Sequence, residues 1–355
     1  MEPKKLFIPG PVDVSEDVLE AMAAPMIGHR EKRYTELQGS VVEGVKKLLK
    51  TKNRVYLGGC SSTGLMEAAV RNLVSKKSLH VVNGAFSKRW LEIAESCEKE
   101  TEILEVEWGG GATPKLVEDK LSAGGFDVVF LTHNETSTAA MTPLSGFAEV
   151  VHDAGALFCV DAVSSAGGVK INVDELGIDV LVTGTQKALA VPPGLAITTV
   201  SEEAFEKSKE LKNKGSYFDY QVMENYAVKN MTYSTPSISH LYALNFQLDK
   251  ILNEEGLENR FKRHQELADF TRAWGEKHFE LFTTNGFHSN TVSCMKNTVG
   301  ADLADLSAQL FDRGYVFSNG YGKLKGEVFR VAHMGDRQMD ELKLYLETIE
   351  EILSL

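Results

Sequence analysis

Two residues with catalytic chemistry each follow an apolar run near the middle of the chain. Lys187 comes after the apolar segment 179–183, and Asp161 ends the segment 157–161, 26 residues earlier. A lysine amine partly withdrawn from water is a nucleophile, and a carboxylate can keep a basic ring nitrogen protonated. Taken singly, Lys187 could be a solvated loop lysine and Asp161 a helix N-cap. At neighbouring strand ends, the two together predict a catalytic pair.

A loop of small residues adds a candidate anion site. The run Gly58-Gly59-Cys60-Ser61-Ser62-Thr63-Gly64 leads into a segment with helical spacing, 64–74. Backbone N–H groups, hydroxyls and the dipole at such a helix start bind phosphate, although this loop alone could be a simple N-cap. Pyridoxal phosphate (PLP) needs a reactive lysine, an acid for its ring nitrogen and a phosphate site, so we predict PLP as the cofactor.

The elements that must position these residues alternate along the chain. Between about residues 17 and 250, helical spacing alternates with short apolar runs that predict strands at 55–57, 80–82, 127–132, 157–161 and 179–183. Runs that are apolar throughout are typical of strands buried on both faces, as in a parallel sheet covered by helices. The sequence therefore predicts an α/β fold.

The C-terminal part has a different pattern. Two long helices, 241–252 and 256–278, are followed by strands at 291–295, 314–318 and 328–331 and by helices at 303–313 and 336–355. We expect an N-terminal arm (1–16), a large cofactor-binding domain (17–253) and a smaller α+β domain (254–355). The sequence has no linker of Pro, Gly and Ser, which indicates that the two domains pack closely.

Composition restricts the class of protein. The net charge of −12 disfavours a general nucleic-acid binder. The four cysteines, Cys60, Cys97, Cys159 and Cys294, form no metal-type pair, so no metal is expected. The N-terminus lacks the apolar stretch of a signal peptide, and no window reaches membrane-spanning length. These features predict a soluble cytoplasmic protein that acts on small molecules.

The ordered set of motifs resembles class V aminotransferases of PLP fold type I, in the branch of alanine–glyoxylate and serine–glyoxylate (serine–pyruvate) aminotransferases. The resemblance spans nearly the whole chain. Beyond the segments above, it includes residues 9–11, 83–90, 132–138, 192–194 and 329–331. It implies a large domain with a mostly parallel sheet of the seven-stranded type between helices, and a smaller C-terminal domain.

The resemblance implies a role for each matching residue in the cofactor site. Lys187 forms the Schiff base with PLP, Asp161 pairs with the ring nitrogen, and Phe86 stacks on the ring, although Phe86 could equally belong to the core. Thr136 approaches the ring hydroxyl, and Val163 packs under the face opposite Phe86. Ser61, Ser62 and Thr63 hold the phosphate, and Gln186 bonds the phosphate or another atom of the cofactor.

In this family, a hydroxyl of the neighbouring subunit completes the phosphate site. Thr235 is the best match and Tyr233 is a weaker one. The resemblance therefore implies a two-fold homodimer with shared active sites. It also implies that Arg330 clamps the substrate α-carboxylate, where a surface salt bridge is the alternative, and that Gly10 lies at the substrate site.

His29 and Arg30 leave the amino donor open. Similar His-Arg pairs occur across class V, including phosphoserine and aspartate aminotransferases, where such residues can meet a distal anionic group. The alanine–glyoxylate enzymes often lack the pair. His29 and Arg30 could therefore bind a substrate phosphate or second carboxylate, or they could be structural.

We expect ping-pong transamination of serine or alanine with a 2-oxo acid such as glyoxylate or pyruvate, within amino-acid metabolism. The alternative is a phosphoserine or aspartate aminotransferase that uses 2-oxoglutarate. A cysteine desulfurase or another fold type I lyase is disfavoured, because Cys294 lies in a predicted buried strand. A non-catalytic accessory subunit is disfavoured because Lys187, Asp161 and Arg330 are all present.

Overall fold

The structure, a computed structural model, describes residues 3–355, and the part before residue 250 builds a central sheet covered by helices. The strands of this part of the chain are β1 (Lys5–Leu6), β2 (Arg54–Gly58), β3 (Lys77–Val82), β4 (Glu100–Glu105), β5 (Phe126–Thr132), β6 (Asn134–Glu135), β7 (Ala140–Met141), β8 (Leu157–Asp161), β9 (Val180–Gly184) and β10 (Ala196–Val200). Its helices are α1 (Glu16–Met22), α2 (Lys32–Leu49), α3 (Ser62–Leu73), α4 (Ala85–Ser96), α5 (Pro114–Leu121), α6 (Phe147–Asp153), α7 (Glu202–Glu210), α8 (Tyr220–Ala227) and α9 (Ile238–Asp249).

The central sheet has seven strands in the order β2-β10-β9-β8-β5-β3-β4. Strands β9, β8, β5, β3 and β4 pair in parallel, whereas β10 runs antiparallel to both of its neighbours. Strands β5 and β9 are buried along their whole length, which explains why their sequences are apolar throughout. The predicted α/β fold with a mostly parallel sheet is confirmed.

The C-terminal part has its own sheet and core. After a π-helical stretch (Lys250–Glu255), its elements are α10 (Leu257–His278), β11 (Glu280–Leu281), β12 (Val292–Lys296), α11 (Leu303–Asp312), β13 (Tyr315–Val316), β14 (Ser318–Asn319), β15 (Val328–Ala332) and α12 (Met339–Leu353). The strands β11-β12-β15-β14 form an antiparallel sheet, against which the aromatic side chains of Trp274, Phe329 and Tyr345 form a separate hydrophobic cluster. The expected domain boundary at residue 253 falls in the π-helical stretch and stays a prediction.

Two features of the strands differ from the sequence prediction. The expected single strand 314–318 is two strands in different sheets, because β13 pairs with β1 of the N-terminal arm and β14 pairs with β15. The edge strand β4 and the antiparallel strand β10 were not predicted. Strand β4 is half polar because it lies at the sheet edge, and two buried threonines, Thr198 and Thr199, interrupt the apolar run of β10.

No helix within residues 3–355 is long and apolar enough to cross a membrane.

Candidate active site

The candidate site lies at the carboxyl ends of three neighbouring parallel strands, β5, β8 and β9. Thr132 and Asp161 are paired in register at the ends of β5 and β8, and Asp161 is paired with Val182 of β9. The loops that leave these strands carry Thr136, Ser164 and Lys187. Ligands bind at this edge in open parallel sheets, so the topology alone brings the three loops to one place.

Lys187 is buried within a network of hydroxyl groups. Its side chain is 7% exposed, and Nζ donates to Ser164 Oγ at 2.7 Å and to Thr136 Oγ1 at 3.0 Å. The two hydroxyls are also hydrogen-bonded to each other. Burial lowers the pKa of Lys187 to about 8, although the nearby Asp161 carboxylate opposes the shift. Lys187 is therefore no solvated loop lysine, and its neutral, nucleophilic form is abundant just above neutral pH.

Asp161 is buried at the end of β8. Its Oδ1 accepts a hydrogen bond from the backbone N–H of Val163 at 2.8 Å, and the residues that follow form turns rather than an α-helix. Asp161 is therefore not the N-cap of an α-helix. Burial raises the pKa of its carboxyl group to about 6. A buried carboxylate is stabilised by a cationic partner, and a protonated ring nitrogen would provide one.

The loop 58–64 presents unsatisfied hydrogen-bonding groups at the start of α3. Ser61 is the N-cap residue, but its side chain makes no capping bond. The buried Oγ of Ser62 has no hydrogen-bond partner within the described chain. A Cβ atom added at Gly184 would collide with Ser62 Oγ and Gln186 Oε1, so both side chains converge on this bare backbone position. Together with Thr63, these groups could hold a phosphate at the helix N-terminus.

Phe86 is positioned by a buried acid, Glu135. The Phe86 ring is half-buried, and Lys187 Nζ lies 5.3 Å from its centroid. The backbone N–H of Phe86 donates to Glu135 Oε2 at 3.0 Å, and Glu135 also accepts from Ser87 and Ser137. Glu135 thus fixes the first turn of α4 and the aromatic ring that it carries. Phe86 does not belong to a hydrophobic core cluster.

Arg330 points from β15 of the C-terminal sheet towards the same loops. It is 6% exposed, and its guanidinium donates to the backbone oxygens of Thr136 at 3.1 Å and Asn319 at 3.0 Å. Burial lowers its pKa. None of the described carboxylates lies within salt-bridge distance, which rules out the surface salt bridge considered from the sequence. Gly10 lies against Lys187, because a Cβ at Gly10 would come within 3.0 Å of Lys187 Cγ.

The remaining predicted residues form a second group. Arg30 donates to the backbone oxygens of Thr232 at 2.9 Å and Tyr233 at 3.4 Å, and His29 precedes it in the same turn. The side chains of Tyr233 and Thr235 are exposed. They line a solvent-open groove together with Gly58 and Gly59, where the phosphate loop begins. Across residues 3–355, no hydrogen bond joins this group to Lys187.

Sequence reasoning missed Ser164 and Glu135 as site residues. Ser164 follows Asp161 by three residues, in a run of small and hydroxylated residues to which the sequence analysis gave no role. Glu135 was visible as an acid inside the buried segment 132–138, which is a costly place for an unpaired charge. Both would have been found by asking which polar residues in buried loops need partners.

Cys294, weighed from the sequence as a reactive cysteine, and Cys60 of the phosphate loop are both poor nucleophiles. Cys294 is buried in β12, and burial raises the pKa of its thiol to about 12. Cys60 is half-buried within the phosphate loop, and burial raises the pKa of its thiol to about 11. The thiolate is the reactive form, so neither residue suits sulfur-transfer chemistry.

Comparisons with known proteins agree with this geometry. Residues 15–306 match the family model for class V aminotransferases. The chain is 42% identical to an uncharacterised aminotransferase of Methanocaldococcus jannaschii over 94% of this chain and 88% of the relative. It is 34% identical to an L-aspartate–glyoxylate aminotransferase of Paracoccus denitrificans over 93% and 86% of the two chains.

A solved structure has the same fold over the whole chain. The alanine–glyoxylate aminotransferase of a Nostoc species superposes with a TM-score of 0.95 at 27% identity, covering 99% of this chain and 96% of that one. The expected family, enzyme class and cofactor are therefore confirmed. The chain belongs to the class V aminotransferases and is a PLP-dependent transaminase.

Proposed function

We propose that the protein transfers the amino group of serine or alanine to a small 2-oxo acid such as glyoxylate or pyruvate by a ping-pong reaction. The observation that carries the proposal is the convergence of Lys187, Asp161 and Arg330 on one sheet edge beside a phosphate-binding loop. Glyoxylate is named for both the Paracoccus relative and the Nostoc structure, which supports glyoxylate as the acceptor.

The residues of this site fit PLP. When bound, PLP supplies an electron-poor ring that accepts the electron pair left as the substrate Cα loses its proton. Asp161 would keep the ring nitrogen protonated, and Thr136 would bond the ring hydroxyl. Phe86 and Val163 would flank the ring faces. The unsatisfied Ser62 Oγ indicates a missing hydrogen-bond partner, which a phosphate oxygen would provide in a site formed with Ser61, Thr63 and Gln186.

Lys187 would carry the proton between the substrate Cα and the cofactor. Its pKa of about 8 lets the same amine accept and release a proton near neutral pH. Ser164 and Thr136 hold the amine, which limits the positions from which it can act. Arg330 would bind the α-carboxylate, with carboxylate oxygens replacing backbone oxygens as acceptors of its N–H groups.

We further propose a cytoplasmic homodimer in which each site takes groups from both subunits. Thr235 or Tyr233 of one subunit would complete the phosphate site of the other, and Gly10 of the same subunit as Lys187 would border the substrate. Support comes from the exposed hydroxyls, which face a groove bordered by the phosphate loop. Because Arg30 is bonded to the same segment, it would reach the partner's site with Thr235.

A second candidate is an acidic donor, either aspartate or phosphoserine, with 2-oxoglutarate as acceptor. The observation that favours it is Arg30, a guanidinium bonded to backbone oxygens and stacked 5.4 Å from the ring of Tyr226, without an acidic partner among the described residues. With His29, it could meet a distal phosphate or carboxylate. The Paracoccus relative, named for aspartate, adds support.

A panel of amino donors tests the proposal. We expect serine and alanine to convert the PLP form to its amino form, seen as loss of the long-wavelength absorption band, and glyoxylate or pyruvate to restore it. Conversion by none of the donors would contradict the proposal, and sulfide release from cysteine would indicate a desulfurase. A preference for aspartate or phosphoserine that Arg30→Ala removes would favour the second candidate. Arg33→Ala is the control, since Arg33 is exposed and paired with Glu31.

A further inference from the structure

The arginines of this chain divide into two sets. The sequence has eleven arginines, and eight of them form ion pairs with acidic side chains: Arg33, Arg54, Arg71, Arg260, Arg263, Arg272, Arg313 and Arg337. The other three, Arg30, Arg89 and Arg330, have no carboxylate within 4.0 Å among residues 3–355. Arg330 is proposed to bind the substrate α-carboxylate and Arg30 is a candidate for a distal anionic group, whereas Arg89 has no proposed anionic partner.

Arg89 lies beside Phe86, one of the candidate cofactor-binding residues. It lies in the second turn of α4, and its guanidinium carbon is 4.7 Å from the centroid of the Phe86 ring. Lys187 Nζ lies 5.3 Å from the same centroid, so the Arg89 guanidinium and the Lys187 amine both lie close to the Phe86 ring. Burial is the main influence on both groups, raising the pKa of Asp161 and lowering that of Lys187, and the charge of Arg89 makes a smaller, lowering contribution to each. The guanidinium is therefore near the place where the substrate reacts.

Tyr321 links Arg89 to the carboxylate clamp. The Tyr321 hydroxyl is 3.3 Å from Arg89 Nη2, and its ring stacks on Phe86 with centroids 5.3 Å apart. The guanidinium carbon of Arg330 lies 5.9 Å from the centroid of the same Tyr321 ring. Arg89 and Arg330 thus contact one tyrosine at two different points, one at its hydroxyl and the other beside its ring.

This arrangement leaves a cation without its natural partner. A guanidinium binds carboxylates with two parallel hydrogen bonds, whereas the phenol of Tyr321 is neutral and offers Arg89 a single acceptor. Arg89 is half-buried, so water satisfies only part of its donors. An anion that enters beside Phe86 would find Arg330 for one carboxylate and Arg89 for another.

We propose that Arg89 binds the second carboxylate of a dicarboxylic substrate, such as aspartate or 2-oxoglutarate, with Tyr321 as a positioning residue. This assignment rests on the proposed transamination and extends it to four- and five-carbon dicarboxylates beside the small substrates with one carboxylate. With a substrate that has no second carboxylate, Arg89 stays on Phe86 and Tyr321. Arg89 belongs to the subunit that carries Lys187, whereas Arg30 would come from its partner.

The test compares donors within each variant of the PLP-loaded enzyme. We expect Arg89→Gln to lower the ratio of kcat/KM for aspartate over alanine by about tenfold to a hundredfold, the usual effect of losing a charged hydrogen-bond partner. The change should lie mainly in KM, and Arg89→Lys should restore part of it. Tyr321→Phe should lower the same ratio by a smaller factor, since the cation remains but its orientation is lost.

A binding measurement separates recognition from chemistry. The substrate analogues 2-methylaspartate and 2-methylalanine lack the Cα proton, so they bind without turning over. Arg89→Gln should weaken the binding of the first relative to the second, followed by the absorption of the bound cofactor. The matched control is Arg313→Gln, because Arg313 is exposed and paired with Glu351 in the C-terminal part.

The outcomes distinguish this assignment from the proposed function. If Arg89→Gln leaves the ratio of kcat/KM for aspartate over alanine unchanged, the assignment is overturned while transamination stays intact. An unchanged ratio in Arg89→Gln together with a loss in Arg30→Gln would give the second carboxylate to Arg30 instead. If no donor is transaminated by the wild-type enzyme, the proposed function fails, and unchanged binding of 2-methylaspartate would then overturn the assignment independently.

Discussion

Two regions of the molecule carry the predicted site residues. They differ in how many of their hydrogen-bonding groups are buried and paired within one chain. Around Lys187, the polar groups are buried and paired: the amine donates to Ser164 and Thr136, and Glu135 accepts hydrogen bonds of its own from Ser137. In the segment 226–235, Tyr233 is 41% exposed and Thr235 faces an open groove. One region has nearly all of its polar groups paired within the chain, and the other presents its functional groups at the surface.

This difference separates the residues that move a proton from the residues that a neighbouring subunit can supply. Residues that move a proton must be desolvated and fixed, and a single sheet edge provides both conditions. Hydroxyls and guanidiniums that bind anions can be supplied from outside, because an anion needs donors rather than a particular chain. A transaminase whose second region serves the neighbouring subunit is therefore inactive as a monomer in our proposal.

The largest expected effect is that of removing the central amine. Lys187→Ala should lower transamination by at least about a thousandfold, because both the nucleophile and the proton carrier are lost. Borohydride treatment should no longer attach the cofactor covalently, as mass spectrometry of the intact protein would show. The control is Lys170→Ala, since Lys170 is exposed and paired with Glu258. Wild-type turnover in Lys187→Ala would refute the assignment.

Asp161→Asn should have the next largest effect, lowering kcat by about a hundredfold or more. The amide cannot stabilise positive charge on the ring nitrogen, although it occupies the same space. The loss should appear in kcat more than in KM, because Arg330 still binds the substrate. Asp153→Asn, at an exposed position on α6, should leave the kinetics unchanged. A larger change in KM than in kcat would argue for a merely structural role of Asp161.

Hybrid dimers test whether the second region serves the partner. We expect Lys187→Ala dimers to be inactive and Thr235→Val dimers to be weakly active when PLP is limiting. Random mixing should restore about a quarter of wild-type activity, because half of the dimers would be hybrids with one intact site. Recovery of this kind requires that Lys187 and Thr235 of one site come from different subunits. Mixing without recovery would place both residues in the same subunit's site and remove the proposed difference between the regions.

The two regions also differ in how far the sequence predicted them. The strand-end positions of Asp161 and Lys187 followed from buried apolar runs, since parallel strands must end at one edge. The contacts of Ser164, Glu135 and Arg89 depend on how the segments that follow the strands fold back over that edge, and local patterns do not encode this. Edge strand β4 was missed for a related reason, because its exposed glutamates hide the apolar pattern. What lies far apart in sequence and meets only through loops was not predictable.

A pH measurement examines the buried region directly. Because burial lowers the pKa of Lys187 to about 8, the neutral amine should decrease tenfold for each pH unit below 8 and reach a plateau above it. The rate at which the apoprotein captures PLP should follow this profile. N-acetyllysine methylamide, with an ordinary pKa of about 10.4, should continue to gain rate up to that pH under the same conditions. A protein profile that matches the model amine would show that Lys187 is not desolvated.

Ser164→Ala should produce the smallest effect, and its direction is fixed by the hydrogen bond. The Lys187 ammonium donates to Ser164 Oγ at 2.7 Å, so loss of this acceptor destabilises the charged form and lowers the pKa of Lys187 further. The midpoint of PLP capture should move to lower pH by less than about one unit, since Thr136 still accepts a hydrogen bond. Ser165→Ala is the control, because Ser165 bonds to His133 and not to the lysine. A shift to higher pH would mean that Ser164 holds the neutral amine rather than the ammonium, and the hydroxyl network would then favour the nucleophile instead of the cation.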